Sequence, residues 1–147
     1  EYAKGKVYEG SDPVLKNQIY VFGKQHHITF RSMKHVDVII SESPLLLSIV
    51  YDIITNGKNV NSSFREMVIE EHEKFDNENY VLTRPKDRPY QEFGRTQTKD
   101  QAKGVDKLVL DVLEENKIDY TVLPSTHDTV MKIVEDVLKK INELDNE

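Results

Sequence analysis

Two stretches of this sequence combine residue types and spacing that suit chemistry on phosphate groups. Glu42 follows the β-branched run Val38-Ile39-Ile40 and comes just before Pro44, so a carboxylate stands where a short buried strand gives way to a helix. Arginine binds phosphate oxygens bidentately, and a basic loop in an acidic chain therefore predicts contact with a polyphosphate. Residues 84–98 form such a loop, with two prolines, one glycine and the basic residues Arg84, Lys86, Arg88 and Arg95.

Each of these features also has an ordinary structural interpretation. Glu42 is also typical of a solvated residue at a strand end, and residues 84–98 are also typical of a surface loop with solubilising charges. A third group, Gln25-His26-His27, lies in a predicted helix with His26 on the apolar face. A lone inward histidine is more often a hydrogen-bonded core residue than a ligand, and no carboxylate accompanies the pair at metal spacing. We therefore do not predict a metal site at His26 and His27.

Alternating helix and strand patterns position these residues. The predicted helices are 12–33, 44–56, one that starts at 61, 98–116 and one after residue 126; the predicted strands are 38–40, 80–83 and 118–123. Strands that alternate with helices pair in parallel through crossovers. We expect a single α/β domain over residues 1–147, with a three-layer parallel sheet flanked by helices. Residues 84–98 would form a lid-like loop beside Glu42, because ligands bind at the carboxyl ends of parallel strands.

Composition excludes several classes of function. The chain has 147 residues and a formal net charge of −6, which argues against a broad basic surface for nucleic acid. It has no cysteine, so disulfides and thiolate metal sites are excluded. No apolar run is long enough to span a membrane, and we expect a cytoplasmic protein without a membrane partner. Because the chain begins at Glu1, we also expect a fragment or a sequence trimmed at its amino end.

Four short segments carry a resemblance to a known family. They are Glu-Tyr-Ala-Lys at 1–4, Phe-Gly-Lys-Gln-His-His at 22–27, Glu-Ser-Pro-Leu-Leu-Leu-Ser at 42–48 and Gly-Arg-Thr-Gln-Thr at 94–98. In this order they resemble the P-loop nucleoside and nucleotide kinase-like proteins of bacteriophages, which are related to the nicotinamide riboside kinase and deoxynucleoside kinase families. The similarity covers nearly the whole chain, although no segment is as specific as a Walker A motif.

The resemblance implies an amino-terminal strand and a glycine-rich phosphate loop upstream of the segment like 1–4. No Gly-x-x-x-x-Gly-Lys-Ser/Thr motif occurs in this sequence. We therefore expect the carboxyl-terminal part of a P-loop kinase-like fold, which lacks the first strand and the phosphate loop. Such a chain would be inactive by itself, and a complete protein would transfer phosphate from ATP, with Mg²⁺, to a nucleoside or nucleotide.

The resemblance also assigns roles to individual residues. Glu1 would take the proton from a substrate hydroxyl, and Glu42 would hold Mg²⁺, although relatives usually carry aspartate there. Gln25 would recognise the base, with His26 nearby. The expected catalytic residues are Glu1, Glu42, Arg88 and Arg95, and the expected substrate-binding residues are Gln25, His26, Arg84 and Tyr90.

Two other classes of function stay open. A shortened relative could be a non-catalytic nucleotide-binding, regulatory or inhibitory phage protein that acts through a protein partner in the host cytoplasm. It could also form a homo-oligomer, or pair with a separate chain that supplies the phosphate loop. A weaker alternative is a generic doubly wound domain whose basic loop binds an acidic protein.

Overall fold

The computed structural model describes residues 9–10, 12–85, 89 and 98–144. These residues form a mixed α/β structure that is mostly helical, with one small two-stranded parallel sheet. The elements are a 3₁₀ turn (Asp12–Lys16), α1 (Gln18–Ser32), α2 (Leu47–Asn56), α3 (Ser62–Glu73), β1 (Tyr80–Thr83), α4 (Lys99–Glu115), β2 (Thr121–Pro124) and α5 (His127–Leu144).

The described residues group into two compact units. The first unit contains the residues up to 77 together with 98–118, and so holds the 3₁₀ turn and α1 to α4. The second contains 78–85, 89 and 119–144, and so holds both strands and α5. Each unit is described separately, and the single domain over 1–147 stays a prediction.

Helix α2 is the centre of the first unit. It packs against the 3₁₀ turn and against α1, α3 and α4, and its buried residues include polar Ser48 and Asp52 besides Ile49 and Val50. Burying each large aliphatic side chain contributes about 1.5–3 kcal/mol. The buried apolar residues of this unit are Phe22, Leu45, Leu46, Ile49, Val50, Phe64, Val68, Ala102, Val112 and Leu113.

A buried ionic network fixes the turn between α2 and α3. The Asp52 carboxylate accepts hydrogen bonds from the side-chain amides of Asn56 at 2.7 Å and Asn61 at 2.9 Å. The Arg65 guanidinium donates to the same carboxylate at 2.9 and 3.1 Å, and to the carbonyl oxygen of Gly57 at 2.7 Å. The carboxylate is therefore fully paired, which a charge in a protein interior requires.

Helix termini follow the sequence closely in two places and depart from it in a third. Thr98 forms a capping box with Gln101 at the start of α4, which the sequence predicts to begin at residue 98. Gly57 ends α2 at φ 87°, a conformation that suits glycine. The sequence predicts a helix from residue 44, but α2 begins only at Leu47, and its Ncap, Leu46, makes no side-chain capping bond.

Helix α1 differs from the predicted helix 12–33. The segment breaks at Asn17, whose side chain caps α1 by accepting from the backbone N–H of Tyr20 at 3.2 Å. Phe22 is buried as expected, whereas Phe30 and Met33 are exposed. The reason is that packing partners cover only the first half of the predicted stripe.

The predicted central strand at 38–40 is wrong for this structure. Residues 36–43 have no regular secondary structure, and Ile40 is 92% exposed. A parallel strand needs a neighbour to accept its backbone hydrogen bonds. Both strands among the described residues belong to the second unit, so the apolar run has no strand to pair with in the first.

The second unit contains the parallel pair that the sequence predicts. β1 and β2 align with Tyr80 opposite Thr121 and Thr83 opposite Pro124. The Thr129 hydroxyl donates to the carbonyl oxygen of Pro124 at 2.5 Å, which ties the start of α5 to the end of β2. β2 begins later than predicted, because the N–H of Ile118 donates to a carbonyl in the last turn of α4.

No helix in the described part of the chain is both long and apolar enough to cross a membrane.

Candidate functional site

A cavity of about 320 Å³ lies in the first unit, where the end of α1, the irregular segment 36–45 and the end of α3 meet. This volume lies within the range of about 300–1,000 Å³ for small-molecule sites. Part of the wall is apolar, with Met33, Leu45 and Phe75, and part is polar. The polar side chains that line it are Gln25, Thr29, Asp37, Ser41, Ser43, His72, Lys74, Asp76 and Asn77.

Gln25 was predicted to bind substrate, and it lines this cavity. Its side-chain oxygen is buried and has no hydrogen-bond partner. The last torsion of a glutamine side chain has broad minima, so a small rotation can turn this oxygen or the neighbouring N–H₂ group toward a ligand. An unpaired buried acceptor costs about 1–3 kcal/mol, which a bound donor would recover.

A tight turn after α3 shapes the opposite wall. The Asn77 side-chain amide donates to the carbonyl oxygens of His72 at 2.6 Å and Phe75 at 3.0 Å. The N–H of Phe75 also donates to the carbonyl oxygen of His72. These bonds fix the backbone of the turn that carries His72 and Phe75. The sequence predicts only that His72 or Phe75 lies on the inner face of the helix that starts at 61, because periodicity reports burial and not the presence of a cavity.

The charged residues of the cavity are unevenly balanced. Asp37 and Asp76 bring two carboxylates, whereas Lys74 brings one ammonium group. Lys74 lies 2.5 Å from Glu71, and this hydrogen bond is the main reason that the pKa of Glu71 lies below its ordinary value. The described part of the lining therefore has more carboxylates than ammonium groups, which disfavours an anionic group there.

His26, the second predicted substrate-binding residue of α1, ties α1 to α3. Its Nε2 lies 3.1 Å from a Glu71 carboxylate oxygen, and its ring stacks with Phe22 and Phe30 at centroid distances of 5.7 and 6.1 Å. His26 is adjacent to Gln25 in sequence but does not line the cavity. Its contacts are those of a hydrogen-bonded helix-packing residue, and its role in substrate binding stays a prediction.

Glu42 lies at the rim of the cavity rather than at the end of a strand. Its neighbours Ser41 and Ser43 line the cavity, whereas Glu42 itself is exposed. Magnesium is often held by one or two carboxylates together with phosphate oxygens and water. No three His, Asp or Glu side chains gather around a possible metal position in the part of the chain that the structure describes. Glu42 alone does not make a magnesium site.

The remaining predicted site residues lie outside the described residues or in the second unit. Glu1, Arg88, Tyr90 and Arg95 are outside the described residues, so the lid and the acid near the acceptor stay predictions. Arg84 is exposed directly after β1, in the second unit. The structure thus brings together Gln25, His72 and the rim residues around Glu42.

Comparison with known proteins assigns the chain to no family. No family model, curated protein or solved structure matches the chain. Functional inference therefore rests on the cavity and on the resemblance in sequence.

Proposed function

We propose that this chain binds a nucleoside or nucleotide through the cavity next to Gln25. We further propose that a complete protein containing it is a cytoplasmic phosphotransferase of nucleoside or nucleotide kinase type. The single observation that carries the proposal is the position of Gln25. An amide to which the resemblance assigns base recognition lines a cavity of suitable size, and its buried oxygen lacks a partner among the described residues.

The wall of the cavity suits a flat heteroaromatic ring. Ligand sites are mostly apolar and contain a few polar groups that orient the ligand. Met33, Leu45 and Phe75 offer apolar and aromatic contact, while Gln25 can donate one hydrogen bond and accept another. A glutamine amide pairs in this bidentate manner with the edge of a nucleobase.

The catalytic part of the proposal rests on the resemblance. ATP would supply the phosphoryl group, and Mg²⁺ would offset charge on its phosphates. Glu42 stands at the rim, where a substrate bound by Gln25 could extend toward it. Arg84, Arg88 and Arg95 would offset the charge of the transferred group, and Glu1 would accept the hydroxyl proton.

The finer fold assignment is also a proposal. We propose that the segment 36–41 becomes the buried parallel strand of a P-loop kinase-like sheet when another segment supplies a neighbouring strand. The β-branched composition of the run and the absence of regular structure around it support this. In that arrangement Glu42 would stand at a strand end.

A second candidate is a non-catalytic nucleotide-binding protein that regulates or inhibits a partner protein. The exposed position of Glu42 favours this alternative, since no described neighbour holds its carboxylate for catalysis. The exposed apolar run beside it could contact such a partner.

Calorimetric titration of the chain with adenosine, cytidine, guanosine and uridine tests the proposed binding. We expect at least one nucleoside to bind, and Gln25→Leu to weaken its binding at least tenfold, because both hydrogen bonds of the bidentate contact are lost. His27→Leu is the matched control, since His27 is exposed on the same helix and does not line the cavity.

A phosphoryl-transfer assay then separates the two candidates. Transfer from Mg-ATP to the bound nucleoside, once the upstream segment or a complementing chain is present, supports the kinase. Binding without transfer in that complete protein supports the regulatory alternative. If no nucleoside binds at any accessible concentration, the proposed function is wrong.

A further inference from the structure

His72 is another polar side chain in the wall of the cavity, and its ring has no hydrogen-bond partner among the described residues. The residue is 6% exposed, and it lies in the last turn of α3. No described residue forms a hydrogen bond with either ring nitrogen, and neither nitrogen is fully enclosed. The carbonyl oxygen of His72 is already bonded to Asn77, so the ring alone is available to a ligand.

Two unpaired polar groups therefore belong to one cavity. The side-chain oxygen of Gln25 can only accept, whereas a neutral imidazole has one nitrogen that donates and one that accepts. Buried polar groups in native proteins almost always find a partner in protein, water or ligand. A ligand with polar atoms on two separate edges would form hydrogen bonds with both side chains. Water would have to immobilise several molecules to do the same, which costs entropy.

The charges around His72 define which part of a ligand can enter. Asp37 and Asp76 line the cavity, and Glu73 follows His72 in the chain. Lys74, the cation among the lining residues, is held by Glu71. A phosphate group here would face Asp37, while the described cation, Lys74, is held by Glu71, so the described part of the lining favours an uncharged ring.

We propose that His72 contacts the ligand and that, with Gln25, it makes the cavity selective for the uncharged base of a nucleoside, with any phosphate lying outside. This inference rests on the proposed function and deepens it, because it assigns the cavity to the base. Gln25 binds one polar edge of the ring and His72 binds the other.

The protonation state of His72 gives the proposal a measurable signature. Burial lowers the pKa of His72 below its ordinary value of 6.5, and the nearby Glu73 offsets part of this effect. The ring is therefore mostly neutral at pH 7 and keeps one accepting nitrogen. Protonation at lower pH removes this acceptor, so a base that donates to His72 should bind less tightly. Asp37, Asp76, Glu71 and Lys74 also carry charge on this wall of the cavity or beside it but are not needed for this contact.

The test uses the full chain, titrated with adenosine, cytidine and, as a probe without a base, ribose 5-phosphate. We expect the nucleosides to bind at least tenfold more tightly than ribose 5-phosphate. His72→Phe keeps an aromatic ring but removes both nitrogens, and should weaken nucleoside binding about tenfold. His27→Phe, at an exposed position away from the cavity, should leave the affinity unchanged.

Nuclear magnetic resonance of the histidine rings in the wild-type chain tests the role of His72 even if His72→Phe does not fold. A saturating nucleoside should shift the His72 ring signals and lower the pH at which they titrate, while those of His27 stay unchanged. Nucleoside binding with unmoved His72 signals would overturn the role of His72 and leave the proposed function standing. Equal binding of ribose 5-phosphate would overturn the selectivity, and absence of any nucleoside binding would overturn the proposed function itself.

Discussion

At the scale of single residues, the most consequential side chain outside the cavity is Asp52. It is 1% exposed, and all its hydrogen bonds go to residues of the α2–α3 turn. Breaking a buried ion pair on one side leaves the other charge uncompensated, which costs more than the pair itself contributes. The network therefore specifies the geometry of the turn more than it adds stability.

Asp52→Asn should destabilise the first unit by about 1.5–3 kcal/mol, because it removes the counterion and the charged hydrogen bonds of the half-buried Arg65 guanidinium. Urea denaturation at pH 7 measures this loss. Lys139→Ala is the control, since Lys139 forms an exposed pair with Glu143 at 3.7 Å, and such surface changes stay within about ±0.5 kcal/mol. Similar free energies of unfolding for the two variants would show that the Asp52 network is not formed.

The destabilisation caused by Asp52→Asn should depend on pH. Burial raises the pKa of Asp52, but hydrogen bonds from Asn61, Asn56 and Arg65 and the charge of Arg65 outweigh burial, so the net pKa lies below 3.8. Because the folded-state pKa is depressed, the stabilisation is complete above pH 3.8 and disappears as pH falls through the folded-state value. Asp52→Asn should therefore lose less stability than wild type between about pH 4 and the acid limit of the folded state.

At the scale of elements, one helix start and one helix end were predictable from local sequence. Thr98 with Gln101, and Asn56 with Gly57, place a cap or a stop through local backbone chemistry alone. The strand Tyr80–Thr83 was likewise predicted with the bounds that the structure shows. Local signals of this kind do not depend on which other elements are present, and for this reason they survive in the folded chain.

Burial was less predictable than helix boundaries. The spacing of Phe22, Phe30 and Met33 is the same whether or not a neighbouring element covers the helix, so the sequence could not show that only Phe22 is buried. The cavity is a similar case. Gln25 was found through resemblance, whereas His72 becomes significant only once α1, α3 and segment 36–45 have packed together.

Substitution by alanine at two glycines should change the free energy of unfolding in opposite directions. Gly57 has φ 87° and ψ 159°, a region that other residues avoid, so Gly57→Ala should cost about 1–3 kcal/mol. Gly104 lies inside α4 with open space around its missing side chain, so Gly104→Ala should stabilise by about 0.5–1 kcal/mol. Urea denaturation of both variants checks the pair, and a gain at Gly57 would mean that α2 does not end there.

At the scale of the whole molecule, the conformation and exposure of the apolar run 38–40 distinguish the observed structure from the kinase-like fold. In the sequence this run is indistinguishable from a buried parallel strand, because strand pairing depends on partners far away in the chain. The structure leaves it irregular and exposed. The class of mixed α/β fold and the parallel pairing of β1 with β2 were predicted, whereas the extent of the sheet was not.

Alanine substitution at two isoleucines measures this difference. Ile40 is 92% exposed, so Ile40→Ala should change the free energy of unfolding by no more than about 0.5 kcal/mol. Ile49 is 2% exposed on α2, so Ile49→Ala should cost about 2–5 kcal/mol. A large loss at Ile40 in the same chain would show that the run is buried, as the kinase-like sheet requires.

The exposure of the run at 38–40 also has a practical consequence for handling the protein. Three successive β-branched side chains without a charge between Asp37 and Glu42 form a short segment that favours intermolecular cross-β association at high concentration. We expect a lysine at position 40 to act as a gatekeeper that raises the concentration at which aggregates first scatter light. Crystallisation trials and spectroscopy of concentrated samples should therefore start from Ile40→Lys.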